Sequence, residues 1–183
     1  MAYFDLNNFK PYNDIYGYSR GDKIIMMLSD VLKENIDQDK DRLGHIGGDD
    51  FVIVFNSDDW HERCESILDS FREEVKAYYN EEDLSNNGIY SEDRRGERQF
   101  FPILSLAIGI VDPNPSLCNS HHDVAVLATD AKHQAKKMGG NVLFVSRRRG
   151  NDRSYLSNDE SNSFDQEIEI SNDQISLLED YGT

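Results

Sequence analysis

Apolar and polar residues alternate along the chain in segments that predict an α/β domain. Apolar runs typical of buried strands lie at residues 2–6, 51–55, 100–111 and 141–146. Apolar residues at helical spacing lie at residues 20–36, 58–79 and 120–138. The run over 100–111 has a large face and a mostly small face, which suits a strand covered on both sides. We therefore expect a central sheet between helices.

The ends of the last two helices carry recognisable signals. Asp58 or Asp59 can cap the helix over 58–79, and Ser120 and Asp123 form a capping-box pattern before the next helix. The residues of that last helix expected to face the core are Val124, Leu127, Ala128, Ala131, Ala135 and Met138. The polar segment over 80–98 predicts a hairpin arm with its tip at 94–97.

The net charge of −16 is unevenly distributed. Residues 151–183 hold nine acidic residues and one Arg153, which is half of that charge. This composition predicts a folded domain over 1–147 and an acidic, disordered tail over 148–183. The charge argues against binding to nucleic acid or to an acidic membrane surface. Two cysteines and the absence of a long apolar run favour a cytoplasmic chain without membrane contact.

A glycine pair followed by two acids predicts a tight turn between two strands. The segment Gly47-Gly48-Asp49-Asp50-Phe51 opens an apolar run, so it places two carboxylates at a sheet edge beside uncovered backbone N–H groups. Asp5 ends the first predicted strand. Carboxylates bind divalent cations and free N–H groups bind phosphate, so the combination suggests a site for a nucleoside triphosphate with its metal.

These segments together resemble the GGDEF family, the bacterial diguanylate cyclase domain. The matching stretches are Phe4-Asp5-Leu6-Asn7-Asn8-Phe9-Lys10, Asn13-Asp14, Gly17-Tyr18, Gly21-Asp22, the glycine-pair turn, the strand over 104–110 and Ala135-Lys136 with Gly139-Gly140-Asn141. The resemblance implies a mostly antiparallel sheet of the nucleotidyl-cyclase or palm type, with a substrate loop between the first strand and the first helix. The family's usual N-terminal helical segment has no match, so we expect an N-terminally incomplete domain.

The resemblance also assigns roles to individual residues. Asp5, the Leu6 carbonyl and Asp49 would bind Mg²⁺ or Mn²⁺, and Asp49, Asp50 and Lys10 would take part in catalysis. Asn13 and Asp22 would read the guanine edge, while Gly48 and Lys136 would meet the phosphates. The residues alone leave alternatives open: a capping carboxylate at Asp5, a turn asparagine at Asn13 and a helix-start acid at Asp22.

Several positions depart from the family's pattern. Asp50 replaces a glutamate, and the shorter reach would cost about 100-fold in rate if that carboxylate must contact a metal. Gly140 replaces an arginine, which would weaken triphosphate binding by about 1.5–3 kcal/mol. Thr129 and His133 replace an aspartate and a tyrosine. The Arg-x-x-Asp product-inhibition motif appears as Gln38-Asp39-Lys40-Asp41, so feedback by cyclic di-GMP is not expected.

Two functions from different classes follow from the resemblance. The first is an enzyme that condenses two GTP molecules into cyclic di-GMP, for which a metal pair and a homodimer are needed. The second is a degenerate domain that binds GTP and regulates an attached or partner domain, such as a phosphodiesterase. The changes at Asp50 and Gly140 favour the second, and the retained nucleotide-binding set is common to both.

Overall fold

The computed structural model describes residues 1–92 and 98–150. Its strands are β1 (Ala2–Asn7), β2 (Arg42–Gly47), β3 (Asp50–Val54), β4 (Gly88–Glu92), β5 (Arg98–Pro102), β6 (Ser105–Ile110) and β7 (Val142–Val145). Its helices are α1 (Phe9–Tyr16), α2 (Tyr18–Glu34), α3 (Trp60–Glu74), α4 (Glu81–Ser85) and α5 (His121–Met138), with a 3-10 turn at Val75–Tyr78.

Five strands form one sheet in the order β2-β3-β1-β6-β7. All neighbours are antiparallel except β6 and β7, which the crossover through α5 makes parallel. In the central strand β1, Phe4 pairs with Phe51 on one side and Ile108 on the other. This arrangement confirms the expected α/β fold with a mostly antiparallel sheet.

Helices cover both faces of the sheet. The larger core lies between the sheet and α2, α3 and the 3-10 turn, and it includes Phe4, Phe51, Ile24, Leu28, Cys64, Phe71 and Leu106. A smaller core around Leu127, Ala128 and Ala131 lies under α5. Every residue of β6 is buried, which confirms a strand covered on both faces. Apolar burial on two faces is the main stabilising contribution to such a layered domain.

The strand predicted over 100–111 is two strands in different sheets. β5 pairs with β4 in a separate two-stranded sheet, whereas β6 joins the main sheet. Pro102 ends β5, since proline has no N–H group for a further ladder bond. The Leu104 N–H group then donates to the Tyr79 hydroxyl at 2.9 Å, between the two strands. The apolar pattern runs through this break because both strands contact the core.

The substrate loop expected after β1 is instead largely helix α1. Asn8, with φ 65°, turns the chain into the helix, and Pro11 lies in its first turn, where proline is tolerated. Gly17, with φ 83°, separates α1 from α2. A segment of eight residues that includes a proline and three aromatic rings is too short to show a clear helical period, which is why the pattern missed this helix.

The helix ends were predicted with mixed success. The capping box of Ser120 and Asp123 is present. Asp59 occupies the N-cap position of α3, but its carboxylate accepts from Arg63 Nε at 2.7 Å rather than from a backbone group of the first turn. Met138, expected in the core, is 61% exposed at the last position of α5. Inward direction cannot be read from spacing in a helix's last turn.

Two predicted features lie outside the described residues. These are the arm's tip at 94–97 and residues 151–183 of the acidic tail. The predicted division between a domain over 1–147 and a tail from 148 remains a prediction. Within the described part of the chain, no helix has the length and apolar character needed to cross a bilayer.

Candidate functional site

Asp5 is the buried acid at the centre of the site. It lies on β1, pairs with Ala107 of β6, and is only 5% exposed. A buried carboxylate is costly unless cations or hydrogen-bond donors compensate its charge. Asp5 therefore requires partners, and α5 supplies them.

Two lysines of α5, one helical turn apart, bind the two oxygens of Asp5. Lys132 Nζ lies 3.3 Å from Asp5 Oδ2, and Lys136 Nζ forms an ion pair with Asp5 Oδ1. Lys132 also lies 3.1 Å from Asp50 Oδ1 and 4.5 Å from the centre of the Tyr3 ring. Residues four apart lie on the same face of a helix, so both ammonium groups face the same strand end.

Close packing of α5 on β6 makes these contacts possible. A β-carbon at Gly109 would lie 2.4 Å from the Lys132 backbone nitrogen and 2.5 Å from the Ala131 carbonyl carbon. Only glycine allows the helix backbone to approach the strand so closely. Gly109 also pairs with Tyr3, which explains why Lys132 lies over that ring.

The turn between β2 and β3 brings two further carboxylates. Gly48 has φ 56°, and its carbonyl oxygen lies 2.9 Å from His45 Nε2. Burial, together with the Asp5 carboxylate, raises the pKa of Asp49. Burial also raises the pKa of Asp50, and Asp5 adds to this effect while Lys132 opposes it. The strand end, the turn and α5 thus assemble three carboxylates and two ammonium groups.

The expected metal ligands are oxygen atoms, which suit Mg²⁺ and Mn²⁺. Lys136 Nζ contacts Asp5 Oδ1 and lies 3.5 Å from the Leu6 carbonyl oxygen, so a cationic group already occupies a place between two of these donors. Among the described residues, no three His, Cys, Asp or Glu side chains form a ready cage for a metal ion. The donor chemistry therefore fits a divalent cation, provided that Lys136 moves to admit it.

A cavity of about 460 Å³ opens beside these charges. Its lining joins residues of β1, α1 and the start of α2 to the acids: Leu6, Asn8, Phe9, Lys10, Pro11, Asn13, Tyr18, Asp49 and Lys136. Five of the predicted site residues, Leu6, Lys10, Asn13, Asp49 and Lys136, thus share one cavity. Asp22 and Gly48 are not part of its lining, and Asp22 is exposed on α2.

Asn13 is held in the cavity wall against Gly21. Its side-chain oxygen is buried, and no group in residues 1–92 or 98–150 donates a hydrogen bond to it. A β-carbon at Gly21 would lie 1.8 Å from that oxygen and 3.2 Å from the Phe9 ring. An unpartnered buried amide oxygen costs free energy, so a donor that reached this oxygen would stabilise the site.

Sequence reasoning missed Lys132. Its side chain is 13% exposed, and although burial lowers the pKa of the ammonium group, Tyr3, Asp50 and Asp5 raise it above its ordinary value. The available signal was its spacing of four residues from Lys136 on a helix rich in alanine. That spacing is common on solvated helix faces, so only the neighbouring strand reveals its role.

The acid retained from the product-inhibition motif has a structural role here. Asp41 is 2% exposed, and its oxygens accept from Asp37 N, Asn56 N, Ser57 N and Ser57 Oγ at 2.9–3.1 Å. These bonds join the loop before β2 to the segment after β3. Both carboxylate oxygens are engaged inside the fold.

Comparison with known proteins identifies one family. The family model described as diguanylate cyclase, GGDEF domain, matches residues 1–107. Diguanylate cyclase DgcP of Escherichia coli is 27% identical over 147 residues, which is 80% of this chain and 38% of that protein. Diguanylate cyclase DgcS of Shewanella oneidensis is 42% identical over 54 residues, or 30% of this chain and 18% of that protein. The chain thus spans well under half of these relatives.

Solved structures show the same fold. The GGDEF domain of YfiN from Pseudomonas aeruginosa has a TM-score of 0.55 at 19% identity, covering 79% of this chain and 74% of that one. The GGDEF domain of DgcB from Caulobacter crescentus, solved with c-di-GMP, has a TM-score of 0.54 at 20% identity, covering 79% and 75%. The solved structures agree in fold, and the family match, which spans more than half of the chain and includes the acid-bearing strand and turn, shows that the chain belongs to the GGDEF family of diguanylate cyclase domains.

Proposed function

We propose that this domain binds GTP with a divalent cation and, paired with a second copy, condenses two GTP molecules into cyclic di-GMP. The observation that carries this proposal is the convergence of Asp5, Asp49 and Asp50 beside a cavity lined by Asn13 and two lysines, Lys10 and Lys136. This set contains acids for a cation, an amide for a base and cations for phosphates.

In this proposal the guanine lies against Asn13. The Asn13 side chain turns away from Gly21, so that its amide oxygen accepts from a guanine N–H group. The exposed carboxylate of Asp22 accepts from the N1–H or the 2-amino group. Adenine lacks that pair of donors, so guanine is favoured. The Asp22 side chain has to turn toward the cavity, of which it is not a lining residue.

The lysines bind the phosphates of the triphosphate, and the acidic groups bind its cation. Lys10 and Lys136 neutralise phosphate charge, and Gly48 leaves the turn's backbone open to a phosphate oxygen. Asp5, Asp49 and the Leu6 carbonyl hold the cation, while Asp50 takes the proton of the ribose 3′-hydroxyl. A bound Mg²⁺ or Mn²⁺ would supply positive charge for the phosphate oxygens and lower the pKa of the attacking hydroxyl.

Two copies are needed because each GTP is both nucleophile and electrophile. Each 3′-hydroxyl attacks the α-phosphorus of the other GTP, and each attack releases one pyrophosphate. One domain positions one GTP, so two domains meet face to face. A cytoplasmic location supplies the GTP, and a fused or partner domain would set how often the copies meet.

A second candidate function is GTP binding without catalysis, with the domain acting on an attached or partner regulatory or phosphodiesterase domain. The contact that favours it is Lys132 Nζ to Asp50 Oδ1, at 3.1 Å. The Lys132 charge opposes the rise in the pKa of Asp50 that burial causes, so Asp50 accepts a proton less readily than it would without Lys132. Nucleotide binding would survive this restraint, whereas proton removal would be slowed.

The deciding experiment incubates the purified chain with labelled GTP and Mn²⁺ at high protein concentration. Formation of cyclic di-GMP by the parent and not by Asp49→Ala establishes the cyclase. Metal-dependent GTP binding that is lost in Asp49→Ala, with no product, establishes the binding module instead. Asp39→Ala is the matched control, because Asp39 is an exposed acid outside the cavity. If the folded parent neither binds GTP nor forms product, both functions are contradicted.

A further inference from the structure

The two lysines that bind Asp5 differ in how firmly they are held. The Lys132 side chain is 13% exposed and that of Lys136 is 37% exposed. The Lys132 backbone lies where α5 contacts Gly109, and the Lys132 ammonium group lies over the Tyr3 ring. Lys136 lines the open cavity. Lys136 can therefore swing out into solvent, whereas Lys132 has no such path without moving the helix.

Their partners differ as well. Lys136 contacts Asp5 Oδ1 and the Leu6 carbonyl oxygen, both expected metal ligands. Lys132 instead bridges two carboxylates, with 3.3 Å to Asp5 Oδ2 and 3.1 Å to Asp50 Oδ1. A cation between two acids is the arrangement that a second divalent ion would adopt in a two-metal site. In this domain the Lys132 side chain occupies that position between Asp5 and Asp50.

We propose that Lys132 is a permanent counter-ion between Asp5 and Asp50, so that this domain binds its nucleotide with a single divalent cation. That cation enters where Lys136 now contacts Asp5 and Leu6. This inference rests on the proposed GTP binding and concerns the same site. Lys132 acts here as a positioning residue, because it holds the two carboxylates rather than the reacting atoms.

Charge supports a single cation. The site holds three carboxylates, Asp5, Asp49 and Asp50, and Lys132 remains when Lys136 turns toward a phosphate. One divalent cation then balances the remaining two negative charges. A second divalent ion would have to approach the buried Lys132 ammonium group, and like charges repel strongly in a poorly solvated site.

Equilibrium dialysis with Mn²⁺ and 3′-deoxy-GTP tests this directly. The deoxynucleotide lacks the attacking hydroxyl, so it remains unreacted while the excess Mn²⁺ and nucleotide on the protein side are measured. We expect one Mn²⁺ per bound nucleotide for the parent chain and two for Lys132→Met. Lys132→Arg keeps the positive charge and should bind one Mn²⁺ per nucleotide. Lys137→Met removes an exposed lysine of the same helix and should also bind one.

The outcomes separate this inference from the proposed function. A ratio of two Mn²⁺ ions per bound nucleotide in the parent overturns the inference and leaves GTP binding intact. A ratio of one in a folded Lys132→Met chain does the same. No retained nucleotide in the parent overturns both. If Lys132→Met does not fold by circular dichroism, the parent's ratio still decides, because a value of two excludes Lys132 as a substitute cation.

Discussion

The backbone nitrogen of Lys132 lies directly over Gly109, where a β-carbon would be only 2.4 Å away. This contact puts α5 against β6 without an intervening side chain. Because β6 pairs with β1 through Asp5 and Ala107, the same approach brings Lys132 and Lys136 to the Asp5 carboxylate. A glycine without chemistry of its own thus sets the geometry of the charged site.

Replacing Gly109 by alanine should therefore damage both fold and site. The new methyl group meets helix backbone, which cannot rotate away, so we expect a loss of about 1–3 kcal/mol in the free energy of unfolding. Urea denaturation measures this loss. Gly44→Ala is the control, because its β-carbon would meet one methyl group of Val52 at 3.1 Å and should cost less. Equal losses would show that α5 tolerates displacement.

Gly21→Ala should separate ligand binding from stability. Alanine stabilises a helix interior by about 1 kcal/mol relative to glycine, which offsets the clash with the Asn13 side chain. The displaced Asn13 should lower GTP affinity by about tenfold or more. Isothermal titration and thermal unfolding measure the two effects. Ser19→Ala, on an exposed position of the same helix, serves as the control. Unchanged GTP affinity would show that Asn13 is not part of the binding site.

Asp41→Ala should destabilise the fold without a specific effect on ligand binding. It leaves the buried N–H and hydroxyl groups of Ser57 and the Asn56 N–H group without their acceptor, at a cost of about 2–4 kcal/mol. Chemical denaturation gives the loss, and Asp39→Ala, exposed in the same loop, should change stability by less than about 0.5 kcal/mol. A mild effect of Asp41→Ala would show that water replaces the carboxylate.

The two cysteines should react differently with thiol reagents. Burial raises the pKa of Cys64 to about 12, whereas Cys118 is partly exposed. At pH 8 we expect rapid labelling of Cys118 alone in the native chain and of both thiols in denaturant, counted by mass spectrometry. Cys118→Ser should abolish the rapid labelling. Rapid labelling of Cys64 in that variant would mean that α3 opens easily.

Alkaline pH should weaken the fold through the same Cys64 thiol. Its folded-state pKa lies above the unfolded value near 9.0, so the neutral form is favoured by folding. This contribution is fully present below pH 9 and is lost as pH rises toward 12. The free energy of unfolding of Cys64→Ala should therefore decline less steeply between pH 9 and 11 than that of the parent. Parallel curves would contradict the assignment.

Local patterns determined much of this protein. The β2–β3 turn, the capping box of Ser120 and Asp123, and the buried faces of α2, α3 and α5 follow from periodicity and turn chemistry within a few residues. The motifs around Asp5, the glycine pair and Lys136 identified the family before any contact was known. These features are local, so neighbouring residues encode them.

Contacts between distant segments decided the rest. Lys136 meets Asp5 across 131 residues, and Lys132 meets Asp50 across 82. Helix α1 and the break between β5 and β6 depend on core packing that overrides a weak or continuous pattern. Only the folded chain brings Gly109 beneath α5, and that approach makes two ordinary lysines the counter-ions of an acidic site. A linear pattern carries no distance between strands, so it could not show which acid each lysine would meet.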